Sequence, residues 1–149
     1  MATPPLGISL AGFHALIAAH GGRVAFQGKS TAWVKVNVVL PATDASKSSY
    51  ASQLGASDSA LATAYISHAY DDEFLGLVDS VDALEAREGA RGFYYFDLLV
   101  VNQHGHDAVV PFEAVRDWFG QSVRATGRML LYLRWANPCL LYTSDAADE

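Results

Sequence analysis

The chain has one cysteine, Cys139, so it can form no internal disulfide and must draw its stability from a packed core. Long apolar runs are missing. Runs such as 98–101 and 129–133 fall far short of the ~20 residues that a membrane-spanning helix needs. The first residues, Met-Ala-Thr-Pro-Pro-Leu, carry neither a basic stretch nor a continuous apolar one, so no secretory signal is expected. Basic charge is scarce: 10 Lys and Arg stand against 16 Asp and Glu, a formal net charge of −6, which leaves no electrostatic footprint for nucleic acid. Charged residues make up only 17% and hydrophobic ones 51%, which excludes a mainly disordered chain. A chain of 149 residues is long enough to bury one real core.

The C-terminal string from Cys139 to Glu149, Cys-Leu-Leu-Tyr-Thr-Ser-Asp-Ala-Ala-Asp-Glu, matches one reading frame of a transposase-type sequencing adapter over eleven positions. The expectation is that residues 139–149 are a non-native tail and that the genuine chain stops at Pro138, inside a gene. Without Asp145, Asp148 and Glu149 the balance is 13 acidic against 10 basic residues, and no cysteine remains. That suits a reducing compartment, and a cytoplasmic location is expected.

Along the chain, residues 1–8 contain Pro4-Pro5 and Gly7 and read as a disordered lead-in. Residues 9–57 read as a helical N-terminal segment. Ser9 is a candidate cap for a helix carrying Leu10, Phe13, Leu16 and Ile17, stopped by Gly21-Gly22. Residues 27–30 form a turn. Thr31 can cap a second helix, although 33–39 also alternate well enough for a strand, and Pro41 ends either one. Thr43 or Asp44 can cap a third helix through Tyr50 and Leu54, and 55–60 read as a linker. The α/β part spans 58–138. A strand over 61–67 leads to a helix with Asp71 and Asp72 at its start and an apolar stripe of Phe74, Leu77, Val78, Val81 and Leu84, stopped at Gly89. An apolar strand follows over 93–101, broken only by Asp97. Next comes a helix opened by Pro111, with Phe112, Val115, Phe119 and Val123 as its buried face, then a stop at Gly127 and a strand over 129–133. This β-α-β-α-β order with continuous apolar strands predicts a parallel sheet covered on both faces, with the strand from Phe93 central.

Few residues form a chemically specific constellation. Gly28-Lys29-Ser30-Thr31 is similar to the end of a phosphate-binding loop, but Arg23 stands where the motif needs glycine and the segment before it reads as a helix. His104-Gly105-His106-Asp107 gathers two imidazoles and a carboxylate in one loop, yet nothing nominates further ligands, so no metal is expected. Ser67-His68 with Asp97 invites a hydrolytic triad, but adjacent side chains point apart and no Gly-x-Ser-x-Gly elbow exists. Their position is more informative. They lie at or near the carboxyl ends of predicted parallel strands, where open α/β sheets bind ligands. Equally, Ser67 can cap the next helix and Asp97 can be hydrogen-bonded structure. The aromatic run 93–96, with Trp118 and Trp135, reads as core.

Thr-Ala-Tyr-Ile-Ser-His-Ala over 63–69 resembles the first box of Toll/interleukin-receptor (TIR) domains, in which a strand ending in Ile-Ser-His leads to an acidic helix start. Ser67-His68-Ala69, then Phe74-Leu75-Gly76-Leu77-Val78-Asp79 with Val81-Asp82-Ala83-Leu84, then Phe96-Asp97-Leu98 and Asn102-Gln103-His104, look like the TIR-like domains of large algal and protist multidomain proteins. The similarity covers most of 10–138. It implies a partial flavodoxin-like sheet preceded by a small, mainly helical segment. It also implies a signalling or scaffolding role through protein association, self-association included, with no membrane and no nucleic-acid partner. The rival it implies is an NAD-cleaving hydrolase, with NAD as substrate and no resident cofactor. The catalytic glutamate of such members lies on a helix beyond the third strand. That position is absent here, and Glu149 belongs to the tail, so no catalytic residue is assigned. The crevice candidates are Ser67, His68, Asp71, Asp97, Asn102, Gln103 and His104. Deleting 139–149 is expected to leave the melting temperature nearly unchanged in a thermal scan, and a loss of several degrees would count against an adapter origin.

Overall fold

The computed structural model describes residues 5–105 and 111–134. The elements run in the order β1 (Leu6–Ser9), α1 (Leu10–Ala19), α2 (Gly22–Phe26), α3 (Thr31–Val34), α4 (Leu40–Ala42), β2 (Ser59–Leu61), β3 (Ala64–Ser67), α5 (Phe74–Glu88), β4 (Phe93–Tyr95), α6 (Asp97–Val100), α7 (Phe112–Thr126) and β5 (Met129–Leu131). The strands form one five-stranded mixed sheet in the order β2-β1-β4-β3-β5. The expected β-α-β-α-β unit is present, since β3 runs parallel to both β4 and β5. Within that parallel set β3 is the middle strand, and β4 is central only to the whole sheet. No helix among the described residues is long and apolar enough to cross a membrane. The tail 139–149, Trp135, His106, Asp107 and the first part of the lead-in lie outside the described residues.

Strand alternation divides the side chains between two faces. Ala64, Ile66, Tyr94 and Phe96 join Phe13, Leu16, Phe26, Phe74, Leu77 and Val78 in the main core beneath α1 and α5. Tyr65 and Tyr95 turn to the other face, where they stack at 4.9 Å and meet Phe119 and Trp118 of α7 edge-on at 5.0 and 5.6 Å. The crossover helices α5 and α7 therefore cover opposite faces.

Several sequence expectations hold. Ser9 caps α1 by accepting from the Gly12 amide, and Phe13, Leu16 and Ile17 are buried. The apolar stripe of α5 faces the core, and Gly89 and Gly127 close α5 and α7 with φ of 65° and 68°. Residues 31–42 are helical rather than a strand: α3 passes through a π-helical stretch, Lys35–Val39, into α4, with Pro41 in the last turn. Ser30 rather than Thr31 provides the cap.

Four readings are corrected. Residues 6–8, expected in the disordered lead-in, belong with Ser9 to β1, antiparallel to both β2 and β4. This pairing spans a large sequence separation, so local pattern does not announce it. No third helix spans 43–54. The polar side chains there bond the backbone instead, Ser46 to the Thr43 carbonyl and Ser52 to the Ser49 carbonyl, leaving only a 3-10 turn at Ala51–Gln53. The run 93–101 is two elements. β4 stops at Tyr95, the Asp97 carboxylate accepts from the Leu98 amide at 2.7 Å, and a helical turn buries Leu98 and Leu99. The apolar stripe of α7 is only partly covered: Phe112 is 74% and Val115 46% exposed, while Val123 packs on the small cluster of Ala62, Tyr65 and Tyr95. That cluster is too small to cover a 15-residue helix.

Gly7 explains why β1 fits between two strands. A Cβ there would sit 2.9 Å from the Phe93 carbonyl carbon and 3.0 Å from the Ala62 Cα, both backbone atoms that cannot swing aside. Gly7→Ala is expected to cost about 1–3 kcal/mol, read as a lower urea midpoint. An unchanged midpoint would show that β1 does not pack there.

Candidate functional site

β3 and β4 are parallel neighbours, so their carboxyl ends deliver His68 and Asp97 to the same side of the sheet edge. Phe96 holds the His68 ring in place, edge-on at 4.6 Å, and Tyr70 flanks it at 5.5 Å. The His68 side chain is only 3% exposed, with Nδ1 3.9 Å from Asp97 Oδ1. Its Nε2 is buried without a hydrogen-bond partner among the described residues, and so is Asp72 Oδ1. Asp72 is 2% exposed, and its other oxygen accepts from the Ala69 amide at 3.2 Å, closing the turn between β3 and α5.

Beside this pair lies a cleft of about 220 Å³ lined by Lys35, Tyr70, Asp97, Val101, Gln103 and Trp118. The Tyr70 hydroxyl donates to Asp97 Oδ2 at 3.4 Å, and burial followed by the Asp97 charge pushes the Tyr70 phenol up to about 12. The Gln103 amide donates to the carbonyls of Asp97 and Val101 at 3.0 and 3.2 Å, locking α6 to the loop after it.

The seven crevice candidates therefore separate. His68, Asp97 and Gln103 converge. Ser67 ends β3, its carbonyl accepting from the Tyr132 amide at 2.9 Å, and it does not cap α5, whose cap position is Glu73. Asp71 is exposed. Asn102 and His104 reach away to the 43–47 turn. Asn102 donates to the Lys47 carbonyl, and His104 Nε2 lies 2.8 Å from Thr43 Oγ1. The Thr43 hydroxyl proton goes to the Val39 carbonyl at 2.7 Å, so the imidazole is the donor in the pair with Thr43. Lys35, Tyr70 and Trp118 were not singled out by sequence as crevice residues. Trp118 sits at a core-like spacing, and Lys35 lies in the segment whose helix or strand character was ambiguous.

The loop 104–107 lies partly outside the described residues, whereas the phosphate-loop-like stretch resolves into structure. Gly28 to Thr31 is a clasp. The Thr31 hydroxyl donates to the Tyr70 carbonyl at 2.7 Å, its amide donates to the Asp72 carbonyl at 2.9 Å, and the Phe74 amide donates to the Lys29 carbonyl at 3.0 Å. Among the described residues no group of three His, Cys, Asp or Glu side chains is placed to hold a metal. No hydroxyl is bonded to His68 Nε2 among them, so no hydrolytic triad is assembled there. What remains is a buried imidazole beside a carboxylate, next to a small cleft with one cation, one carboxylate and two aromatic faces. Compared with protein-family models, with curated proteins and with solved structures, the chain matches none.

Burial lowers the His68 imidazole below its ordinary 6.5, against the opposing charges of Asp97 and Asp72. The unfolded chain takes up this proton near pH 6.5, while the folded chain resists it. The contribution is therefore present in full above that pH and is lost as pH falls through the folded value. Urea midpoints measured at about pH 7.5 and about pH 5 are expected to show a drop that is smaller in His68→Phe, and an equal drop in both would remove His68 as its source.

Proposed function

We propose that this chain is a TIR-like, partly flavodoxin-like signalling or scaffolding module that acts in the cytoplasm by associating with protein, including copies of itself. The order β4-β3-β5, with crossover helices on opposite faces, supports a doubly wound core of this kind. One observation carries association. Along the α7 side of the sheet Phe112, Val115, Trp118, Phe119, Met129, Leu131 and Leu133 are each more than a third exposed. Tyr65, buried under Phe119 and in register with Met129, ties α7 and β5 to the same face. Exposed apolar side chains gathered on one face favour an interaction site.

The alternative is an NAD-cleaving hydrolase, for which Asp97 is the carboxylate that lines the cleft. Sedimentation velocity over rising protein concentration is expected to show reversible association, weakened about tenfold or more in Met129→Ser/Leu133→Ser as two exposed apolar contacts are lost. A single monomeric species throughout, with nicotinamide release from NAD that Asp97→Asn abolishes, would overturn the reading in favour of a hydrolase.

A further inference from the structure

Lys35 and Asp97 bring opposite charges into one small cleft and do not pair. Among the described residues no ion pair joins the Lys35 ammonium to Asp97 or to any other carboxylate. Asp97 is equally short of a cation. Its Oδ1 accepts from the Leu98 amide at 2.7 Å. His68 Nδ1 stands 3.9 Å away, beyond hydrogen-bond reach, on a ring that burial holds toward its neutral form. Asp97 Oδ2 has the Tyr70 hydroxyl at 3.4 Å, long beside the ~2.5–2.7 Å of a charge-assisted O–H···O⁻ bond. Gln103 gives its N–H groups to the Asp97 and Val101 carbonyls, while its own side-chain oxygen accepts nothing among the described residues. The cleft therefore holds two unclaimed acceptors and one unclaimed cation beside Tyr70, Trp118 and Val101.

Four parts of the chain converge to make it: the stretch after α3, the turn between β3 and α5, α6 with the loop that follows, and α7. None of its lining comes from β5. Lys35 opens the π-helical stretch Lys35–Val39, a rare backbone form that recurs at functional sites. At about 220 Å³ the cleft is smaller than the ~300–1,000 Å³ of pockets for drug-sized molecules, so its occupant is small. Opposite charges on the walls of so small a space call for a ligand whose own two charges lie a few bonds apart. We propose that the cleft binds a free α-amino acid with an apolar side chain. Its ammonium goes to Asp97 Oδ2 and the Gln103 side-chain oxygen, and its carboxylate to the Lys35 ammonium. Its side chain packs on Val101 and the Trp118 indole. Each charge of the ligand thus meets the wall charge that the protein leaves unpaired.

This inference is independent of the association reading and gives the crevice a ligand. The test uses the full chain, with L-leucine, L-valine and L-phenylalanine as probes. Isocaproate and isopentylamine are the leucine analogues that lack the ammonium and the carboxylate. NMR titrations are expected to show saturable shifts of the Trp118 indole N–H and the Gln103 side-chain amide with at least one amino acid. For leucine, each analogue is expected to bind about tenfold or more weakly as one charged contact is lost. Lys35→Met and Asp97→Asn, checked by thermal melts for folding, are expected to weaken amino-acid binding to the same degree. Lys35→Met is also expected to leave isopentylamine binding unchanged, because the amine does not use Lys35. Analogues that bind as tightly as leucine would overturn the two-charge reading, and so would amino-acid binding that neither variant weakens. The absence of shifts at Trp118 and Gln103 with all three amino acids would overturn the proposal. Shifts there with NAD instead would assign the cleft to the hydrolase alternative. Self-association is read separately by sedimentation, so its outcome and this one remain distinguishable.

Discussion

Phe96 is the residue on which core and crevice both depend. Its ring is fully buried, 5.8 Å from Phe13 and 6.3 Å from Phe74, so it ties β4 to α1 and α5 at once. The same ring carries His68 edge-on, and the next residue is Asp97. An imidazole with 3% of its side chain exposed is supported by an aromatic surface, while its Nε2 has no hydrogen-bond partner among the described residues. The site is thus built out of the core rather than added to its surface. The exposed pairs His14–Asp82 and Arg23–Asp79, which also bridge the N-terminal helices to α5, are solvent-screened and contribute little by comparison.

How much the sequence revealed follows the range of the interactions. Elements specified by neighbouring residues were legible: the Ser9 cap, the stripes of α1 and α5, the glycine stops, and the parallel unit from β3 to β5. Elements specified by distant partners were not. β1 is a strand only because β2 and β4 flank it, and its Gly7 is required by backbone more than fifty residues away. The break after Tyr95 was hidden inside an apolar run because one carboxylate, Asp97, reverses the local preference by bonding the Leu98 amide. In the site, the rule that ligands lie at strand carboxyl ends selected His68 and Asp97 correctly as neighbours. It says nothing about Lys35, which arrives from the helical stretch after α3, or Trp118, which arrives from α7.

The two sheet faces are unequal, and the inequality links the crevice to the open surface. Among the described residues one face buries a large core, whereas the other buries Ala62, Tyr65 and Tyr95 beneath α7, with Val100, Val101 and Val123 partly buried against them. Burial pushes the Tyr65 phenol up to about 12 and raises that of Tyr95 as well, and the Tyr95 hydroxyl lies buried with no partner among the described residues. A face with so little apolar material holds its helix by ring contacts at a few points. Trp118 is one of them: it meets Tyr95 on its inner side and lines the crevice with Asp97 and Gln103 on the other. The seating of α7 therefore sets the width of the cleft. Trp118 belongs both to this wall and to the exposed apolar side of α7, so a change in how α7 is seated alters the cleft through the same indole.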